Sequence, residues 1–189
     1  RMNRLLALLA LVLSCGFVYA QEEADELSEV LSAYLDSVES NTSSGNVFRF
    51  IDMAYAQAEE EGAIDIQDYL IQLKLTSYHA MGQYQRTIEY ADSLMTLEDL
   101  ILENFGLYNI TMYLKVLSYI ELGKYRTAIE IATEVYNESL SISDDQEQGV
   151  LKDNFSLSCN ALTCIGLANS EMGMVNEAIK NFTECVQRI

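Results

Sequence analysis

The sequence predicts an all-α chain of tandem antiparallel helical hairpins, about three to four of them, behind an N-terminal leader. Three observations carry this. The 189 residues include no proline and only 9 glycines, so helix can follow helix through short turns. Apolar residues make up 50% of the chain, enough for a packed core and too many for a disordered segment. Three segments also align without gaps: GQYQRTIEYADSL from Gly82, GKYRTAIEIATEV from Gly123 and GMVNEAIKNFTEC from Gly173.

The leader comes first. From Met2 the chain reads MNRLLALLALVLSCGFVYA and then QEEADE. Arg4 supplies a positive start, Leu5 to Leu13 an apolar run, and Val18-Tyr19-Ala20 a small-residue cleavage site. Residues 1–20 are therefore expected to be a signal peptide, with an acidic mature chain opening at Gln21 and an exported product. Val12-Leu13-Ser14-Cys15-Gly16 also resembles a lipobox, in which Cys15 would be acylated and anchor the chain to a membrane. The apolar stretch from Phe17 to Ala20, where a lipoprotein would begin a polar tether, favours soluble cleavage after Ala20. Arg1 precedes the natural start at Met2, so the C-terminal end is open to being arbitrary as well.

Residues 21–62 follow as an N-terminal helical pair. Glu26 to Glu39 and Phe48 to Glu61 each read as an amphipathic helix, separated by Asn41-Thr42-Ser43-Ser44-Gly45. This pair is expected to be a degenerate hairpin or a cap. Residues 63–189 then hold the repeats, at about 66–97, 107–140 and 150–188.

Each repeat reads as one helix running into a glycine and a second starting at once. The glycine supplies the left-handed residue that ends the first helix. In the middle unit the second helix carries Tyr125, Ala128, Ile129, Ala132 and Val135 at helical spacing. The small residues Ala128 and Ala178 let two helices approach closely, while Tyr84 and Tyr125 fill the space beside the turn. Successive glycines lie 41 and then 50 residues apart, so the units are long, with extra length in helices or in loops such as Ser141 to Asp145.

Gly123, Tyr125, Ala128 and Ile129, with Gly166, Gly173, Ala178, Ile179 and Phe182 in the third unit, resemble the tetratricopeptide repeat. Thr87 in the first unit and Asn169 in the third depart from that pattern, and the glycine spacing exceeds the family's usual 34. The resemblance covers roughly residues 66–188 and implies an exported, Bacteroides-like bacterial protein of the periplasm or cell envelope of a Gram-negative organism. It implies an α-solenoid whose first helices line a concave face. Carried over from each glycine, the lining positions are Tyr69, Gln72, Thr76 and His79; Tyr113, Leu117 and Ile120; and Asn160, Thr163, Leu167 and Ser170. The middle set is apolar. It is either a groove for a peptide or helix with an aromatic anchor or simply core against a neighbouring repeat. The function so implied is a protein–protein interaction scaffold that binds a partner protein or peptide. The alternative is the extracytoplasmic input domain of a longer sensor kinase or membrane-bound regulator, here truncated.

Charge narrows the partners. Against 29 acidic residues stand 11 basic ones. Because the leader holds two arginines and no acid, the expected mature chain carries a net charge of −20. Such a surface repels nucleic-acid phosphates and anionic membranes. Membrane attachment is thus expected only through a lipid anchor or a segment beyond Ile189, and a neutral or basic protein partner is favoured.

Signals for catalysis are poor, and no enzyme, cofactor or metal is expected. The single histidine, His79, sits on a predicted helix as a lining residue. No phosphate loop, nucleophile elbow or zinc spacing occurs. Asp144 to Gly149 imitates the start of a calcium loop, but Phe155 stands where an EF-hand needs its bidentate glutamate. Outside the leader the cysteines are Cys159, Cys164 and Cys185. An odd number leaves at least one unpaired in an exported chain. Cys164 lies nine residues before Gly173 and Cys185 twelve after it, so a Cys164–Cys185 disulfide competes with Cys185 as a buried thiol. Five Asn-x-Ser/Thr sequons, at Asn41, Asn109, Asn137, Asn154 and Asn181, are read as chance in an Asn- and Ser-rich chain.

Overall fold

The computed structural model describes residues 28–42, 44–96, 104–141 and 148–188. The leader, Cys15 and the expected cleavage site lie outside the described residues, as does the centre of the expected loop from Ser141 to Asp145. Among the described residues there are eight helices and no strand. No described helix is long and apolar enough to cross a membrane. The chain divides into two compact units, residues 1–82 and residues 83–189.

The first unit contains α1 (Glu29–Ser40), α2 (Val47–Glu61) and α3 (Ile64–Ala80). Ser28 caps α1, its side chain accepting a hydrogen bond from the Leu31 amide at 3.1 Å, which satisfies one of the free amides of the first turn. The same hydroxyl donates to the Glu61 carboxylate at the far end of α2 and so ties the two helices together. Leu31 and Val38 meet Val47, Ile51, Ala54 and Ala58, then Ile66, Leu70 and Leu73. Steps of three, four and seven residues keep each set on one face of its helix. Lys74 on α3 reaches Asp52 on α2 at 2.6 Å, and Phe48 stacks on Tyr78 with centroids 4.3 Å apart.

The second unit contains α4 (Tyr84–Leu94), α5 (Phe105–Glu121), α6 (Tyr125–Ser141), α7 (Gln148–Glu171) and α8 (Val175–Arg188). Helix α5 packs on α4, α6 and α7, and α7 also packs on α6 and α8. Asn104 caps α5 by accepting from the Leu107 amide at 2.9 Å. Much of the extra length of the third repeat lies in α7, which runs for 24 residues. The core joins Val116 and Ile120 to Ala128 and Ala132, then to Cys164, Ile165 and Ala168. Alanines at the contact let the helix backbones come close.

The repeat glycines act as the sequence requires. Gly123 and Gly173 have φ of 73° and 77°, a region that costs any residue with a Cβ. At Gly123 the glycine amide bonds to the Ile120 carbonyl and the Lys124 amide to the Tyr119 carbonyl, both at 2.9 Å. Gly173 and Met174 repeat the pattern onto Ser170 and Asn169. Both are Schellman closures, which satisfy the last carbonyls of one helix and leave the next free to begin at once.

Candidate functional site

Helices α5 and α7, which the sequence reading makes the first helices of its second and third repeats, pack side by side. An amide ladder holds them. Asn160 on α7 donates to the side-chain oxygen of Asn109 at 3.0 Å, and Asn109 donates in turn to the Ser156 hydroxyl at 3.0 Å. One turn along α5 from Asn109 stands Tyr113, which with Leu117 is half-buried against the core of this unit. Burial, and then the neighbouring Cys164 thiol, push the Tyr113 hydroxyl up to about 12, so it stays protonated and able to donate at neutral pH. A shallow crevice between α5, α6 and α7 is lined by Tyr113, Val116, Val135, Asn160 and Cys164 among others. It has room for about one water molecule, far less than a cofactor needs.

The expected lining positions divide by exposure. On α7, Asn160 and Thr163 are half-buried, while Leu167 and Ser170 face solvent. On α5, Ile120 does not line a surface: it is buried in the core with Ala128 and Ala168, because α5 is covered on several sides by α4, α6 and α7. In the first unit Tyr69 and Gln72 are half-buried, but Thr76 and His79 are 6% exposed. Thr76 turns its hydroxyl back onto the Gln72 carbonyl at 2.7 Å. His79 has its pKa lowered to about 4 by burial, so it is a neutral interior side chain. The accessible part of the set is Tyr69, Gln72, Tyr113, Leu117, Asn160, Thr163, Leu167 and Ser170.

Of the two readings of the cysteines, the structure does not form the Cys164–Cys185 disulfide. None of Cys159, Cys164 and Cys185 is disulfide-bonded. Cys164 is 1% exposed in the core of the second unit, where burial raises its pKa and keeps it protonated. It is Cys159, not Cys164, whose thiol and carbonyl meet Cys185.

Two features were missed from sequence. Asn109 and Ser156 complete the ladder, and the signal was present: Asn109 lies four residues before Tyr113 and so shares its helix face. Helix α8 also carries an outward apolar stripe of Val175, Ile179 and Val186, each more than half exposed. Its counterpart Ile129 on α6 is packed against the core.

Among the described residues no three His, Cys, Asp or Glu side chains gather in a way that could hold a metal ion. No protein-family model, curated protein or solved structure matches this chain.

Proposed function

We propose that this chain is a tetratricopeptide-type interaction scaffold, exported by its leader, which binds a partner protein or peptide along the α5–α7 surface. The observation that carries this reading is the half-buried pair Tyr113 and Leu117 beside the Asn109–Asn160 ladder. An aromatic and an aliphatic anchor flanked by fixed amides is what a peptide groove offers: apolar area for affinity, and donors and acceptors for orientation. The net charge of −18 favours a neutral or basic partner and makes capture weaken with salt.

The test is a pull-down from a cell-envelope fraction with three proteins: the native chain, Leu117→Lys and Lys180→Ala. Leu117→Lys puts a charge at the centre of the surface, while Lys180 is exposed on α8. A protein held by the native chain and by Lys180→Ala, but lost by Leu117→Lys with unchanged helical circular dichroism, supports the groove. Equal capture by all three, or capture by none, overturns it.

A further inference from the structure

Helices α7 and α8 follow one another across the Gly173 turn and pack together. Near the turn, a Cβ on Gly166 would lie 2.6 Å from the Phe182 ring. Further out, the Thr163 hydroxyl is 3.9 Å from the Cys185 sulfur. One turn beyond, Cys159 and Cys185 meet reciprocally: each Sγ lies 3.7 Å from the other residue's carbonyl oxygen. Cys159 stands fourteen residues before Gly173 and Cys185 twelve after it, so they sit at matching heights on facing helices. Each sulfur already reaches the opposite backbone, which places the two short side chains against one another across the helix pair.

We propose that Cys159 and Cys185 form a redox-active dithiol site, which closes to a disulfide across α7 and α8 by exchange with a small-molecule disulfide and leaves Cys164 reduced. Both residues are half-buried and open in part to solvent, whereas Cys164 is 1% exposed. Attack on a disulfide needs access as well as a thiolate, so access selects the pair. Thr163 contributes order: its hydroxyl donates to the Cys159 carbonyl at 2.8 Å, leaving its oxygen free to accept from the Cys185 thiol.

The exchange balances without further reactants. One protein thiolate attacks a sulfur of the small disulfide, forms a mixed disulfide and expels one small thiolate. The second protein thiolate attacks the protein-bound sulfur, forms the Cys159–Cys185 bond and expels the other. The two thiol protons pass to the departing thiolates; the protein gives up two electrons and the small disulfide takes them. The product links residues 26 positions apart in the chain and restricts the unfolded chain.

The full chain is incubated natively with oxidised glutathione, its remaining thiols are alkylated, and the tryptic peptides are weighed. The expected result is peptide 153–180 joined to peptide 181–188 with the loss of two hydrogen masses and one alkylated cysteine. Fragment ions place that alkyl group on Cys164. The link persists in Cys164→Ala and vanishes in Cys159→Ala, each with native helical circular dichroism. Fragment ions placing the link at Cys164, glutathione adducts on Cys159 and Cys185 without a link, or alkylation of all of Cys159, Cys164 and Cys185 after prolonged exposure would overturn the proposal. The wild-type fragment ions decide the matter even if a variant fails to fold.

Discussion

The ring of Phe182 on α8 occupies the space into which any side chain at position 166 of α7 would grow: a Cβ built there lies 2.6 Å from one ring carbon and 2.8 Å and 2.9 Å from two others. Glycine inside a helix normally costs about 1 kcal/mol relative to alanine. Here that cost is offset by the contact it permits. Gly166→Ala gains the helix propensity but overpacks the contact, a penalty of about 1–3 kcal/mol. The expected net effect is a loss of about 1 kcal/mol, read from urea denaturation. Phe182→Leu should relieve much of the clash, so the double variant recovers part of the loss. Additive losses would show that the two residues are not coupled.

The turn glycines should respond differently. A Cβ on Gly123 or Gly173 would meet nothing within 4 Å, so only the positive φ of 73° or 77° opposes substitution. Gly123→Ala and Gly173→Ala are each expected to cost about 1 kcal/mol, and the asparagine variants less, since asparagine tolerates the left-handed region. Equal stability of the alanine and native proteins in thermal melts would mean that the closures at Lys124 and Met174 do not hold the turns.

What the sequence revealed, and what it hid, follows from the range of each interaction. Helix ends depend on a few adjacent residues, so the turns at Gly123 and Gly173 could be read directly, as could the small contact residues Ala128 and Ala178, both buried. The cysteine pairing could not be read from height alone. Cys159 and Cys164 are five residues apart, a rotation of roughly 140° about the helix. One therefore faces α8 while the other faces the core made with α5 and α6. The burial of Ile120 and the exposure of Ile179 depend on which helices cover α5 and α8, and periodicity within one helix carries no record of that. His79 shows the same limit: its helical position was legible, and its depth was not.

Thr111 on α5 is fully buried, and its hydroxyl finds no hydrogen-bond partner among the described residues. An unpaired buried hydroxyl carries a desolvation cost without the bond that would repay it. Valine has nearly the same shape and no such group. Thr111→Val should therefore raise stability by about 1 kcal/mol, seen as a higher denaturant midpoint with an unchanged m-value. A loss of stability would mean that an ordered water serves the hydroxyl. The burial also closes the sequon at Asn109: with Thr111 enclosed and the Asn109 amide bonded to Ser156 and Asn160, the folded chain offers no acceptor there.

His79 makes acid sensitivity measurable at one residue. Burial lowers its pKa from 6.5 to about 4, so the unfolded chain binds a proton over this interval that the folded chain refuses. Its contribution is fully present above pH 6.5, is lost progressively as pH falls toward 4, and is constant below that. The interval corresponds to about 3 kcal/mol at most. Glu61 works in a different window: hydrogen bonds from Ser28 and Gln57 lower its pKa from 4.5, so its contribution is lost only as pH falls below that value. Urea midpoints at pH 7, 5.5 and 4.5 should fall steeply in the native chain and more gently in His79→Leu, so that the two curves converge toward acid. Parallel curves would mean that the imidazole titrates alike in the folded and unfolded chains, and that position 79 is open enough to solvent to meet a partner after all.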